Sequence, residues 1–214
     1  METQTFRYES LIENLREQSQ STYWRAFHSM SFVTGGVSFI IGTALLFPSP
    51  STYLLSLLSA IIYTIGSVGF LAVDIQEFFT FTDDNLLRLN ISISATGSLA
   101  YVIGSLGYIP SIESDYPLLG IVGFIIGSLL IFCSQLWKLY RIGWPFKNKD
   151  TLTASLVEGG ACLGGLFFLI GSVLVELIPN NDATLWVLVL WLIGSISFTI
   201  GGFSLSYRHF VLNL

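Results

Sequence analysis

The stretch GGVSFIIGT, residues 35–43, decides the fold of this chain, because it occurs in three related copies. Its counterparts are GSLAYVIGS, residues 97–105, and GGLFFLIGS, residues 164–172. In each copy two glycines stand seven residues apart, an aromatic residue lies between them, and Ser or Thr follows the second glycine. A shorter form of the pattern, YTIGS, FIIGS or WLIGS, ends at Ser67, Ser128 and Ser195. The sequence therefore predicts three tandem copies of one two-helix unit.

Long runs without charge indicate a membrane protein. Hydrophobic residues make up 52% of the 214 residues and charged residues only 11%, whereas roughly a quarter of a soluble domain is charged. Five runs lack Asp, Glu, Lys and Arg: residues 26–73, 89–112, 116–137, 159–175 and 183–207. A span needs about 20 apolar residues, so the 48-residue first run, interrupted by Pro48 and Pro50, holds two spans. We therefore predict an all-α integral membrane protein with six transmembrane helices.

The basic residues indicate the orientation of these spans. All nine Lys and Arg residues flank the first and last spans or the connections after the second and fourth: Arg7, Arg16, Arg25, Arg88, Lys138, Arg141, Lys147, Lys149 and Arg208. The other three connections, around residues 48–52, 110–117 and 179–183, contain none. Because short basic loops stay in the cytoplasm, both termini are predicted to be cytoplasmic.

The predicted spans divide the chain into an N-terminal segment, three hairpins, two linkers and a tail. Residues 1–28 are predicted to be a cytoplasmic amphipathic segment, because Tyr8, Leu11, Ile12 and Leu15 recur at helical spacing. Such a helix would lie on the membrane surface or bind a partner. The hairpins occupy residues 29–80, 91–142 and 153–210, separated by inner linkers at 81–90 and 143–152. Residues 211–214 form the tail.

The recurring glycines favour close helix packing. Helices in lipid associate through close contact and hydrogen bonds, for which small residues are suited. Each hairpin has two spans, so all three enter the membrane in the same sense and form parallel repeats. A three-fold bundle is expected, although a row of hairpins is also compatible with the pattern. The alternative is that the glycines line a narrow pore. The predicted packing glycines are Gly35, Gly42, Gly66, Gly97, Gly104, Gly127, Gly164, Gly171 and Gly194.

The paired IGS-type spans resemble the YrhK-like domain, a two-helix membrane unit of prokaryotes. The stretches that carry the resemblance include FIIGTALLFP from Phe39, YVIGSLGYIP from Tyr101 and FFLIGSVLVELIP from Phe167. The resemblance covers roughly residues 29–210, in three copies where the family has one. It implies a protein of the prokaryotic cytoplasmic (inner) membrane and assigns no activity or ligand residues.

Three polar residues within the spans are candidates for a binding site. We call the glycine before the final Ser or Thr of each repeat its marker glycine. Asp74 stands eight residues after the marker glycine Gly66, Gln135 eight after Gly127, and Glu158 thirteen before Gly171. Helical rise would bring all three to one level near the cytoplasmic end. Ionisable groups in a bilayer are costly and often functional. These three, with His28, would either extend to the interface or form a cation or proton site.

The sequence predicts a protein without catalytic activity. The two histidines stand in no metal-binding spacing, no glycine-rich phosphate loop is present, and no serine is placed with a histidine base. We therefore expect no catalytic residues, metal or cofactor. The sequence has no basic stripe and no nucleic-acid motif, which argues against nucleic acid. The first hypothesis is a scaffold, accessory subunit or membrane sensor, with the lipid bilayer and a membrane-protein partner or second copy as contacts. The alternative is a small ion or proton channel or transporter.

Overall fold

The computed structural model describes residues 21–47, 52–81, 84–143, 148–177 and 181–214, the first four of the last range as backbone only. Within these ranges the chain forms helices and no strands. We number the helices α1 (Thr22–Ala44), α2 (Tyr53–Thr80), α3 (Asn85–Gly107), α4 (Pro110–Asp115), α5 (Leu119–Ile142), α6 (Lys149–Leu177) and α7 (Asn181–Phe210). The predicted all-helical fold is confirmed for the described residues.

Five of these helices, α2, α3, α5, α6 and α7, are long and apolar enough to cross a membrane. The predicted sixth span, α1, has 23 residues and would be about 34 Å long, which exceeds a hydrocarbon core of about 30 Å. It is not among these five, and its first turns carry polar side chains such as Arg25 and His28. Five described helices therefore have the length and composition of membrane spans, as in a multi-pass protein, and the count of six spans stays a prediction.

Several boundaries differ from the predicted ones. Helix α1 begins at Thr22, so residues 22–28 continue the first hairpin helix, while residues 1–20 lie outside the described part. Helix α6 begins at Lys149, inside the predicted linker 143–152. The connection between α3 and α5 contains the short helix α4, which begins at Pro110. Proline suits the first turn of a helix because its missing N–H has no intrahelical partner there.

The long helices form a closed ring. Helices α1, α2, α3, α5, α6 and α7 each pack against the next one along the chain, and α7 packs against α1. The two helices of each predicted hairpin, α1–α2, α3–α5 and α6–α7, are neighbours in this ring, and the six helices surround a common axis instead of forming a row. The short α4 lies against α2 and α3.

Aromatic rings fill the axis of this ring. One layer contains the aromatic residue from each of the three longer repeats, with ring centroids 5.2–6.1 Å apart: Phe39, Tyr101 and Phe168. A second layer contains the aromatic residue of each shorter repeat, 5.6–6.5 Å apart: Tyr63, Phe124 and Trp191. All six side chains are buried. The centre of the bundle is thus packed with side chains at the level of the repeats.

A large side chain from the other helix of the same hairpin packs against each of the nine predicted packing glycines. A Cβ on Gly66, Gly127 or Gly194 would lie 2.7–2.8 Å from the ring of Phe39, Tyr101 or Phe168, respectively. A Cβ on Gly42, Gly104 or Gly171 would lie 2.7–3.1 Å from the ring of Tyr63, Phe124 or Trp191. A Cβ on Gly35, Gly97 or Gly164 would lie 2.5–3.0 Å from Phe70, Ile131 or Phe198. These glycines lie at closed helix contacts.

Hydroxyl groups connect neighbouring hairpins at the same level. Thr43 Oγ1 lies 3.4 Å from Ser195 Oγ between the first and third hairpins, and Ser67 Oγ lies 3.0 Å from Ser105 Oγ between the first and second. At the third junction Ser128 Oγ instead bonds the Tyr101 hydroxyl at 2.8 Å. Ser172 Oγ is buried there without a hydrogen-bond partner in the described structure.

Candidate functional site

The basic side chains lie at one end of the bundle, together with the start of α1 and the end of α7. Arg25 reaches the carbonyl of His209, and Arg208 pairs with Asp150 at the start of α6. Arg141 pairs with Asp84 before α3. The remaining described basic residues occupy the same ends of their helices: Arg88, Lys138 and Lys149. We call this end of the bundle the basic end.

A small cavity lies on the axis between the basic end and the aromatic layers. Its volume is about 40 Å³, which is room for a few water molecules. Apolar side chains from five helices form its walls: Phe32, Phe70, Val73, Ile131, Val157, Ala161, Phe198 and Leu205. The polar lining comes from α2, α3, α5 and α6: Asp74, Glu77, Ser94, Ser98, Gln135, Lys138 and Glu158. The cavity is therefore bounded by all three hairpins.

Lys138 connects the three hairpins electrostatically. Its ammonium donates to Glu77 Oε2 at 3.0 Å and lies 3.8 Å from Glu158 Oε2. Glu77 belongs to the first hairpin, Lys138 to the second and Glu158 to the third. All three side chains are at most a fifth exposed. Buried charges need such pairing because desolvation penalises an isolated ion.

Asp74 is buried beside this ion cluster but makes no direct ion pair with it. The Ser98 hydroxyl donates to Asp74 Oδ2 at 2.5 Å. The carboxylate side chain is only 5% exposed, and no ion pair within 4 Å joins it to a described Lys, Arg or His. Gln135 lies on the neighbouring wall, where its amide nitrogen donates to Ser94 Oγ at 3.4 Å. The Gln135 Oε1 atom is buried and accepts no hydrogen bond from the described residues.

Two histidines extend the cluster toward the end of the chain. His28 Nε2 lies 3.3 Å from Glu77 Oε1, and His28 Nδ1 lies 3.1 Å from His209 Nε2. The other His209 nitrogen, Nδ1, lies 3.1 Å from the Leu214 carbonyl. The Trp24 ring packs on His28 with centroids 4.6 Å apart. A continuous set of polar contacts thus runs from α7 through α1 to Glu77 on α2.

The structure brings the three sequence-predicted candidates together. Asp74, Gln135 and Glu158 all line the cavity. The fourth suggested residue, His28, contacts Glu77 and does not line the cavity. The three residues lie at one level along the bundle, as their spacing from the marker glycines predicts.

Two central residues were not predicted from the sequence. Glu77 was not singled out, and Lys138 was interpreted only as a determinant of orientation. Both stand eleven residues after a marker glycine, Gly66 or Gly127, three residues beyond Asp74 and Gln135. A three-residue step keeps side chains on one helix face. Applying the repeat register to this second position would have identified them.

The polar lining of the cavity is mainly acidic. Three carboxylates and one ammonium line the cavity, so negative charge exceeds positive charge there. The described residues hold no group of three or more His, Cys, Asp or Glu side chains arranged to bind a metal ion. No family model matches the chain, and neither a curated protein nor a solved structure matches it.

Proposed function

We propose that this chain is a non-enzymatic multi-pass protein of the prokaryotic cytoplasmic membrane that acts through helix packing and protein partners. Its role is that of a scaffold, accessory subunit or membrane sensor. Six spans cross the membrane as three parallel hairpins, with both termini in the cytoplasm. The YrhK-like resemblance, extended to three fused units, is part of the same proposal.

The observation that carries this proposal is the aromatic filling of the axis. Between the cavity and the far end of the bundle lie three successive sets of large side chains. The first is Phe70, Ile131 and Phe198, and the next two are the aromatic layers around Phe39 and Tyr63. Protein interiors packed in this way have few voids larger than a water molecule. A conducting path along the axis would require these rings to move.

The proposed orientation is supported by the charge distribution. The described basic residues gather at one end, whereas Glu113 on α4 and Glu176 near the end of α6 occupy the opposite end. Basic residues next to short connections favour the cytoplasmic side. The closed ring also supports six spans, because α1 packs against both α2 and α7 as a full member.

A second candidate function is a transporter for a small cation or for protons. The observation that favours it is the charged cavity, since ionisable side chains within a membrane often mark ion pathways. In that case Asp74, Gln135 and Glu158 would lie at the cytoplasmic end of the path.

Ion flux separates the two candidates. The purified chain is reconstituted in liposomes, and Na⁺, K⁺ and H⁺ fluxes are measured with an imposed membrane potential. We expect fluxes equal to those of protein-free liposomes, because the aromatic layers close the axis. A flux that depends on the protein and is lost in Asp74→Asn would favour the transporter instead.

Thiol labelling on intact cells tests the six-span topology. Cys133 and Cys162 are first replaced by Ala, and single cysteines are then placed at the exposed positions Ser21, Tyr53, Ser111 and Lys149. An impermeant reagent should label positions 53 and 111 in intact cells, and positions 21 and 149 only after permeabilisation. Labelling of positions 21 and 53 from the same side would show that α1 does not cross the membrane.

A further inference from the structure

The cavity contains a carboxylate, Asp74, that has no ion-pair partner within 4 Å among the described residues. Glu77 and Glu158 share Lys138, and Glu77 also contacts His28. Asp74, by contrast, receives a hydrogen bond from Ser98 and has no ion pair within the described ranges. A buried carboxylate needs a counter-charge or a proton, because desolvation of an isolated ion costs several kcal/mol.

An independent observation indicates a ligand at the same place. Gln135 is only 7% exposed, lines the cavity, and directs its nitrogen to Ser94, which leaves Oε1 without a hydrogen bond from the described protein. Buried polar atoms without partners are rare in native proteins and call for an explanation such as a bound ion or water. A cation in the cavity would satisfy both the amide oxygen and the carboxylate.

We propose that Asp74, Gln135, Ser94 and Ser98 form a binding site for one small monovalent cation of the size of Na⁺. The four side chains supply oxygen atoms from α2, α3 and α5, and cavity waters complete the coordination. The inference goes beyond the proposed function, because binding at this site requires no transport.

The donor set favours a monovalent alkali cation. Carboxylate, amide and hydroxyl oxygens are hard ligands, and imidazole and thiolate, which suit transition metals, are absent from the cavity lining. Asp74 is the one described lining carboxylate outside the Lys138 ion cluster, so a single positive charge matches the carboxylate that has no ion-pair partner among the described residues. Ca²⁺ takes about six to eight oxygen ligands, more than these four side chains supply, and the nearby Lys138 ammonium repels a doubly charged ion more strongly than a singly charged one. The volume of about 40 Å³ accommodates a partly dehydrated ion.

Thermal unfolding and direct binding test this proposal on the full chain purified in detergent. The unfolding temperature is measured in NaCl, LiCl, KCl and choline chloride at equal ionic strength and pH. A ligand that binds only the folded state stabilises it by RT ln(1 + L/Kd), where L is the free ligand concentration, so the unfolding temperature rises with that concentration. We expect a rise with Na⁺ over choline and saturable binding of one ²²Na⁺ per chain.

Variants of the site test whether Na⁺ binds at Asp74 and Gln135. Asp74→Asn should abolish ²²Na⁺ binding, and Gln135→Met, which keeps the size but removes the oxygen, should weaken it by about tenfold, as for loss of one good ligand. The matched control Glu176→Gln makes the same acid-to-amide change at an exposed position of α6 and should bind as the wild type does. If Asp74→Asn does not fold, the Gln135→Met binding isotherm decides.

Two results would overturn the proposal. One is an unfolding temperature that is equal in Na⁺ and choline and changes only with pH, which would mean that Asp74 carries a proton. The other is ²²Na⁺ binding that survives in both site variants. The flux experiment is separate, since Na⁺ binding without flux supports both proposals, and flux without specific binding contradicts both.

Discussion

The ammonium of Lys138 on α5 donates a hydrogen bond of 3.0 Å to the carboxylate of Glu77 on α2. The two helices belong to different hairpins and are not neighbours in the ring, since α3 lies between them. Their side chains therefore meet across the axis, in the lining of the cavity. The contact with Glu158 on α6 adds the third hairpin.

Removing the Lys138 charge should destabilise the bundle. In Lys138→Met, Glu77 and Glu158 would remain buried without their shared counter-ion, and loss of one partner of a buried pair costs about 3–5 kcal/mol. Unfolding in a graded denaturing detergent measures this change. Lys149→Met, at an exposed position, should change the unfolding free energy by less than about 0.5 kcal/mol. Equal stability of the two variants would contradict a central role for Lys138.

Adjacent glycines on α6 should respond in opposite ways to the same substitution. A Cβ on Gly160 would lie 2.6 Å from the Ser197 carbonyl oxygen and 2.8 Å from the Gly201 nitrogen, both in the backbone of α7. Gly160→Ala should therefore separate α6 from α7 and lower the unfolding temperature. A Cβ on Gly159 meets only Leu139 Cδ2, at 3.9 Å. Gly159→Ala should stabilise by about 0.4–1 kcal/mol, because alanine restricts the unfolded chain. Melting curves of both variants test whether Gly160, and not Gly159, lies on the face of α6 that contacts α7.

Truncating the aromatic core should be costly. Phe39 is fully buried and packs against rings from all three hairpins, including Tyr101 and Phe168. Phe39→Ala should lower the unfolding free energy by about 3–5 kcal/mol, because a cavity remains on the axis. Phe203→Ala removes the same ring from a side chain that is 58% exposed, and its effect should be much smaller. A similar loss in both variants would show that the axis is not the packed core.

Asp84 should make the stability depend on pH in the acid range. Burial opposes ionisation of Asp84, but hydrogen bonds from the Leu87 and Leu86 backbone and the Arg141 guanidinium outweigh it and hold the Asp84 pKa below its ordinary value of 3.8. A lowered folded-state pKa means that the stabilisation is complete above the ordinary value and is lost as the pH falls through the folded value. Its size should be of the order of 1 kcal/mol or less.

Asp84→Asn isolates this charge, because asparagine caps helices about as well as aspartate. We expect the variant to be less stable than the wild type at pH 7 and equal to it in strong acid, as measured by unfolding at each pH. The matched change Asp115→Asn, at an exposed position of α4, should produce no such difference. A gap between wild type and Asp84→Asn that persists in acid would show that the charge is not its cause.

The repeat register of the sequence anticipated much of the candidate site. Asp74 and Gln135 occupy one repeat position, and both line the cavity. Glu77 and Lys138 occupy another, but their roles could not be predicted, because sequence spacing places residues on a helix face without saying which other helix that face meets. The pairing became evident only when the ring brought α2, α5 and α6 around one axis.

The sequence by itself determined the helical class, the membrane-like composition and the three-copy register, because these follow from local properties: apolar run length, charge position and glycine spacing. Tertiary structure decided that the hairpins close into a ring, that six aromatic rings fill its centre, and that Asp74 and Gln135 line one cavity beside that core. These features depend on which helices pack together, since the same small and large residues on separate helices would fit a row as well as a ring. Closure places α7 against α1, and only that contact gives the bundle an axis to fill.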